Sequence, residues 1–514
     1  MSFKTAVTFQ SFSLLVIISV GVTGGLVSDD DYQIRRANLL KNEEKRMLGG
    51  DIVLEGLEKT ANDVLMRAKY REIDHGFNNS ATFLPSQSFL LIKEAIRQSP
   101  VFKILRSMPK GSVLHVHELA LVSAEYMLFN ITYRPNLYAR EIEDKLILRF
   151  FDKPPSSEYT LLSELRMRNR SEIDSKIRKQ LLLGTNSTEF FAENDVDAIW
   201  RKFVSIFAFV YPILAYRPVY EDFIYQGLLE AYNDNILYLE FRSSLPMLYD
   251  FNENTYGSVE VAKICKNVTE RFMRDHPDFV GIKLIYSRSR TCNDSQFEKY
   301  LQTARDLKKY LPDFIAGFDL VGQEDKGRPL IHFAEKLRSL IGEDIQLFFH
   351  AGETNWYGTS IDENLIDAVL LNTKRIGHGF ALLKHPEVMD RVREKKIAIE
   401  VSPISNQVLG HVKDLRNHPA NYLFANNYPV VVSNDDPGFW GAEGLSYDFY
   451  EAFVGIMSRK ADLRALKKLS LNSIEYSSMN ETQRTKALEV WNRKWKHFVA
   501  ELSKSSSSLE PTVH

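Results

Sequence analysis

The chain has 514 residues, with 65 Lys and Arg against 67 Asp and Glu and a hydrophobic content of 44%. The balanced charge argues against a broad nucleic-acid footprint, which needs a basic surplus or stripe, and the apolar content excludes a mainly disordered chain. Two cysteines exclude both a disulfide scaffold and a cysteine-rich metal site.

At the N-terminus, Lys4 precedes a nearly uncharged apolar run from Phe12 to Val22, then the small residues Thr23, Gly24, Gly25 and Ser28, then Asp29, Asp30 and Asp31. This three-part layout predicts a secretory signal peptide over 1–28. An uncleaved membrane anchor is the competing reading, but the apolar run falls short of the roughly 20 residues that a bilayer crossing needs. Seven Asn-x-Ser/Thr sequons follow, at Asn78, Asn130, Asn169, Asn186, Asn267, Asn293 and Asn480. Together with the leader they point to a secreted, extracellular glycoprotein with no membrane span in the mature chain. In an oxidising compartment Cys265 and Cys292 are expected to form a disulfide, two free buried thiols being the alternative.

The stretch from Asp30 to about Ala68 is rich in Arg, Lys, Glu and Leu, and with a second helical run at about 86–98 it predicts an N-terminal helical region over 29–107. Its apolar spacing suits packing against another surface and motivates a homodimer. From 131 to 190 the texture changes to short strand-like pieces, Pro154-Pro155, Ser-rich turns and a charged run, which predicts an exposed insertion or small subdomain on the first βα connection. Beyond it, helical patterns alternate with short apolar strands: 236–241, 280–286, 314–320, 345–350, 375–377, 397–401 and 430–433. With 112–117 these make eight strands joined by helix-length crossovers. The class is α/β, and the fold expected over 108–503 is a TIM-type (β/α)8 barrel. An open doubly wound sheet is the alternative, but no Gly-rich phosphate turn follows the first strand. The Ser-rich tail over 504–514 is expected to be flexible.

The chemistry-bearing residues fall at the C-terminal ends of these strands. His115 and His117 close the first strand and, at period two, face the same side. His350 closes the fifth, and Asp435 and Asp436 follow the eighth. Three imidazoles and a carboxylate at a barrel mouth form a site suited to zinc with an open water position, and ligand type alone also admits iron or manganese. Glu353, just past Gly352, and His378, between two glycines, are placed to act beside the ion rather than to bind it. A buried Glu353 would hold a proton at neutral pH.

The segments MPKGSVLHVHE, YLEFR, GFDLVGQE, FHAGETNW, RIGHG and SNDDP occur in this order. Together they resemble the adenosine/AMP deaminase family of metal-dependent hydrolases, in particular its secreted growth-factor type. The resemblance implies one zinc ion per subunit on His115, His117, His350 and Asp435, with a purine nucleoside as substrate. It makes Glu353 the proton donor to ring N1 and His378 the group that orients the attacking water, while Asp435 accepts a proton. Asp436 would meet purine N7 and the Gly322 backbone N3, with Trp200 and Trp356 near the nucleoside. It also implies dimerisation through the N-terminal helices and a receptor-binding-like insertion, so a cell-surface receptor or glycan is a further expected partner and a growth-factor role the alternative function. The chain departs from the family pattern at Glu118, where the secreted type carries an Asp that contacts the ribose, and in an insertion without cysteine. No Lys/Arg cluster appears around the mouth segments, which favours a nucleoside over AMP.

Overall fold

A computed structural model describes residues 29–184 and 195–505. The expected signal peptide, the sequon at Asn186 and the tail from 506 onward lie outside the described residues. The chain divides into two compact units, 1–44 and 45–514. In the first, the helix Asp29–Arg46 opens on Asp29, Asp30 and Asp31 and, past the boundary, ends on Lys45 and Arg46, charges that complement its dipole. It has no buried residue and exposes Tyr32, Ile34 and Leu39.

The second unit is built around eight parallel strands: β1 (Gly111–His117), β2 (Ile236–Ser243), β3 (Gly281–Ser289), β4 (Ile315–Val321), β5 (Gln346–Leu347 and Phe349–Ala351), β6 (Arg375–His378), β7 (Ala398–Val401) and β8 (Val430–Val432). Strands β1 to β5 pair in sequence order, as do β5 to β8. The ring closes where Val116 bridges Asp435, so the sheet is a barrel. The strands are buried on both faces because helices cover the outside while side chains fill the inside. The fifth strand, expected as one piece over 345–350, is interrupted at Phe348. Here β4 and β5 approach so closely that a Cβ on Gly317 would lie 2.0 Å from the Gln346 carbonyl oxygen, which only glycine avoids.

Helix Leu57–Asn78 packs on the C-terminal helix Glu481–Lys504, where Glu58 accepts from Trp495 Nε1 at 2.7 Å and from Lys467 Nζ at 2.6 Å. The segment after β1 holds an antiparallel three-stranded sheet (Leu137–Ile142, Lys145–Phe150, Thr160–Leu161) and the helix Leu162–Leu181. Leu137, Ala139, Leu146, Leu148 and Phe150 are buried on the inner face of this sheet, while Glu141, Lys145, Ile147 and Arg149 are exposed.

The expected disulfide does not form: Cys265 and Cys292 are free thiols, both buried. Cys265 lies on the buried face of helix Ser258–Asp275 within the field of Glu118, whereas Cys292 occupies the turn after β3 near Arg328 and Asp294. Each sulfur is held in its own packing environment, and nearness in sequence does not bring the pair to bonding geometry. The six described sequon asparagines are all exposed. Among the described residues no helix is long and apolar enough to cross a membrane.

Helix Ser446–Tyr450 continues into a π-helical stretch, Glu451–Ile456. It buries Asp448 and Glu451 completely, and neither Glu451 oxygen has a hydrogen-bond partner. Burial pushes Asp448 well above the carboxylate range; burial, with Asp448 and Glu72 nearby, does the same to Glu451. Both stay protonated in the fold, whereas an unfolded carboxyl ionises above about pH 4. Unfolding therefore releases protons, and this part of the stability is lost as pH rises through the folded pKa. Glu451→Gln, a neutral isostere, is expected to flatten the fall in stability between about pH 5 and about pH 7 by up to about 1.4 kcal/mol per pH unit. Denaturant unfolding of both proteins across that range measures the effect, and parallel profiles would show that Glu451 is ionised in the fold.

Candidate active site

Alternation along β1 turns His115 and His117 into the barrel. Closure of the ring then sets Asp435 against them: His117 N–H donates to the Asp435 carbonyl at 2.8 Å, and Asp435 N–H to that of His115 at 3.1 Å. Asp435 Oδ1 consequently lies 3.2 Å from His115 Nε2 and 3.0 Å from His117 Nε2. Asp435 adopts a left-handed φ of 56°, a conformation that costs a non-glycine residue about 1–2 kcal/mol. With His350 from the end of β5, the four residues bring one ligand atom each within 4.8 Å of the others.

The far side of each buried imidazole is anchored. His115 Nδ1 lies 2.8 Å from Glu400 Oε2, and His350 Nδ1 lies 2.7 Å from Asp319 Oδ2. Arg242 bridges Asp319 and Glu400 at 2.8 Å and 2.7 Å, and Arg375 joins Glu400 to Glu240 at 2.6 Å and 2.7 Å. Burial alone would raise the Glu400 pKa, but Arg242 and Arg375 hold it well below the usual range; for Asp319 the same burial is overcome by His350 and Arg242. An ionised carboxylate accepts the Nδ1 proton, so each Nε2 presents a lone pair inward. His115 Nε2 and Asp435 Oδ1 are both buried without a hydrogen-bond partner. Lone pairs facing each other at 3.2 Å are stabilised by a cation, and three imidazole nitrogens with one carboxylate oxygen suit a borderline divalent ion. The residues fit a metal.

Glu353 stands beside this set on a turn clamped by Glu324, which accepts Gly352 N–H at 3.1 Å and Glu353 N–H at 3.3 Å. Its Oε1 is buried without a hydrogen-bond partner, 3.5 Å from His378 Nε2 and 3.7 Å from His411 Nε2. Burial pushes its pKa up to about 7, with His411 acting against the rise and Asp435 and Glu324 adding to it. His378 ends β6 with a left-handed φ of 61°. Gly377 before it allows the close approach expected from the sequence, since a Cβ there would lie 3.1 Å from His115 Cε1 and 3.2 Å from His350 Cα. The two Asp435 oxygens divide: Oδ1 faces the histidine pair, while Oδ2 accepts from Ser405 Oγ at 2.7 Å and lies 3.9 Å from His378 Nε2.

A cavity of about 200 Å³ lies over these groups, and it adjoins an outer chamber of about 550 Å³. Trp200, Gly322 and Asp436 line the inner cavity, as do Glu353 and His378. Burial and the adjacent Asp435 push Asp436 well above the carboxylate range, and its Oδ1 has no hydrogen-bond partner. Glu118 lines the outer chamber and is bonded to Tyr220 and, at 2.7 Å, to Ser243 Oγ; burial pushes it up to about 7. Trp356 is not brought to the inner cavity: it is 62% exposed, with its carbonyl held by Lys384 Nζ at 3.2 Å. Asp319, Glu400, Arg242 and Arg375 were missed by sequence reasoning, although a charged residue inside an apolar strand, as in GFDLV or AIEV, is a signal that finds them. His411 carries no such signal.

The adenosine deaminase family model matches residues 183–492, and a model for the adenosine/AMP deaminase N-terminal region matches 14–105. The chain is 44% identical to an adenosine deaminase of Aedes albopictus over 92% of this chain and 89% of that protein. It is 40% identical to Adenosine deaminase 2 of Homo sapiens over 95% and 97%. Among solved structures it resembles an N6-mAMP deaminase of Arabidopsis with a TM-score of 0.56 at 14% identity, covering 76% of this chain and 99% of that one. It also resembles an amidohydrolase of Burkholderia ambifaria with bound Zn, with a TM-score of 0.53 at 18% identity, covering 79% and 95%. At these identities the structural likeness is one of fold. The family model spans more than half of the chain and the relatives cover nearly all of it: the chain belongs to the adenosine deaminase family.

Proposed function

We propose that this chain is a secreted zinc-dependent hydrolase that deaminates adenosine, and 2'-deoxyadenosine, to the inosine product and ammonia. The observation that carries the reading is the convergence of a four-residue metal-ligand set and a proton-holding Glu353 on one cavity, in a chain of this family. His115, His117, His350 and Asp435 would hold the zinc, which when bound acts as a Lewis acid that makes water nucleophilic at neutral pH.

The chain's own residues do the rest. Attack at purine C6 needs electron density drawn toward ring N1, and Glu353, protonated near neutral pH, donates a proton there. Asp435 Oδ2 accepts a proton from the attacking water and returns one to the departing amine, which leaves as neutral ammonia. His378, whose Nε2 lies 3.9 Å from Asp435 Oδ2, orients that water. Asp436, kept as a neutral acid, has an O–H to offer purine N7, which only accepts. Gly322, with φ 101°, brings its backbone against the ring at N3. Trp200 packs beside the base. Glu118, already bonded to Tyr220 and Ser243, meets the ribose through what remains of its hydrogen-bonding capacity.

Secretion is supported by the leader pattern, and glycosylation by six exposed sequon asparagines. A homodimer through the N-terminal helices is supported by the apolar residues Tyr32, Ile34 and Leu39, exposed on a helix with no buried residue.

The loss of adenosine absorbance on conversion to inosine tests the activity, with 2'-deoxyadenosine and AMP as comparison substrates. Chelation should abolish turnover and zinc restore it; full activity in metal-free protein would remove the metal from the reaction. Glu353→Gln is expected to retain metal and fold while lowering kcat roughly 10²-fold or more, and near-native turnover in metal-replete protein would take Glu353 out of its role. Light scattering at micromolar concentration should give a dimer mass, and a monomer would count against the N-terminal interface.

A further inference from the structure

Behind His378, on the side away from the cavity, three buried side chains form a line that ends on a backbone amide. Ala420 N–H donates to His418 Nδ1 at 3.0 Å. A backbone N–H can only donate, so His418 Nδ1 is bare, and the neutral ring carries its proton on Nε2. That nitrogen lies 3.0 Å from Asn406 Oδ1. The acceptor facing it is therefore the amide oxygen, and the amide nitrogen faces the other way, 3.1 Å from His378 Nδ1. Turning the amide over would set Asn406 Nδ2 against the His418 Nε2 proton, donor against donor. Only one arrangement satisfies all three contacts, and it leaves His378 Nδ1 as an acceptor.

We propose that Asn406 and His418 are positioning residues that fix His378 in the tautomer bearing its proton on Nε2, the nitrogen that faces the reacting centre. His378 Nε2 is buried without a hydrogen-bond partner, 3.5 Å from Glu353 Oε1 and 3.9 Å from Asp435 Oδ2, so its proton points to the space between the acid and the base. An N–H there holds a lone pair of the attacking water and leaves that water's protons for Asp435, whereas a bare nitrogen would compete with Asp435 for the same proton. The supports are rigid. Asn406 sits on helix Pro403–Val408, its N–H bonded to Ser402 O at 3.0 Å and its carbonyl accepting His411 N–H at 2.9 Å. His418 stands just before helix Ala420–Ala425, its ring against Phe380. Burial keeps the His418 imidazole neutral, lowering it to about 3, so that ring carries a single proton, and the line from the Ala420 amide places it on Nε2.

The inference rests on the deaminase reading for its catalytic meaning, but the tautomer can be observed without turnover. Nitrogen-15 NMR of histidine-labelled, zinc-loaded protein separates protonated from bare ring nitrogens. The wild type is expected to show Nε2–H for both His378 and His418. In Asn406→Asp a carboxylate accepts from both rings and draws the His378 proton to Nδ1; kcat on adenosine should then fall roughly 10²-fold with KM changed less than about twofold. His418→Phe keeps the volume beside Phe380 but frees the amide, and should lower kcat about tenfold. The double variant should fall no further than Asn406→Asp alone, because both act through one line. If Asn406→Asp fails to fold, His418→Phe carries the same NMR readout. A wild-type His378 protonated on Nδ1, or a switched tautomer with unchanged kcat, overturns the proposal. A wild type that shows the expected tautomer yet leaves adenosine unchanged would instead overturn the substrate reading.

Discussion

The mouth of the barrel depends on two guanidinium groups placed where no water solvates them. Arg242 and Arg375 are almost wholly buried, and between them they tie Asp319, Glu400 and Glu240, from three different strands, into one lattice. Such a lattice contributes little net stability, since desolvation offsets much of the attraction, but loss of one member costs about 3–5 kcal/mol because its partner is left charged in a dry interior. Its value here is geometric. It locks β2, β4, β6 and β7 in register and holds two imidazoles by their Nδ1 edges. The charge count is also informative: three carboxylates of the lattice together with Asp435 face two guanidinium groups, leaving two negative charges that a divalent cation held among the histidines would neutralise.

Next to this ionised layer lies a second set of acids in the opposite state. Glu400 and Asp319 are held charged by adjacent arginines, whereas Glu353 and Asp436, only one shell away, have no cationic side chain to pair with beyond histidine and are pushed toward the neutral form by burial. The same residue types are therefore held ionised behind the histidines and pushed toward the protonated form in front of them. Environment, not side-chain chemistry, divides these roles. The separation is kept by backbone devices: Glu324 clamps the Gly352–Glu353 turn, and left-handed conformations at Asp435 and His378 aim both groups into the cavity.

How much of this is readable from sequence depends on the range of the interaction that sets each feature. The eight strands are legible because each is a local apolar run, and the clustering of His115, His117, His350 and Asp435 because these residues fall at or just past the ends of such runs. The break at Phe348 is not legible, because the close approach of Gln346 to Gly317 comes from two separate strands. The free state of Cys265 and Cys292 was misread for the same reason: spacing along the chain says nothing about which pocket receives each sulfur. Asn406 and His418 are ordinary polar residues in SNQVL and RNHPA, and their alignment with His378 exists only after β6, the helix following β7 and the segment leading to β8 are packed together.

The insertion after β1 bears on the cavity more directly than its position suggests. Helix Val196–Leu214, which supplies Trp200, Phe203 and Phe207 to the cavity wall, is held from behind by that insertion: Lys202 Nζ donates to the Lys179 carbonyl at 2.8 Å. From the other side Phe207 stands edge-on to Phe439 at 4.7 Å, and Leu183 N–H donates to the Phe439 carbonyl at 2.7 Å, three residues past Asp436. This cavity wall is thus wedged between the insertion and the strand end that carries Asp435 and Asp436. The cavity beside Glu353 keeps its shape only while that wall is in place, so the insertion acts as a structural support of the cavity.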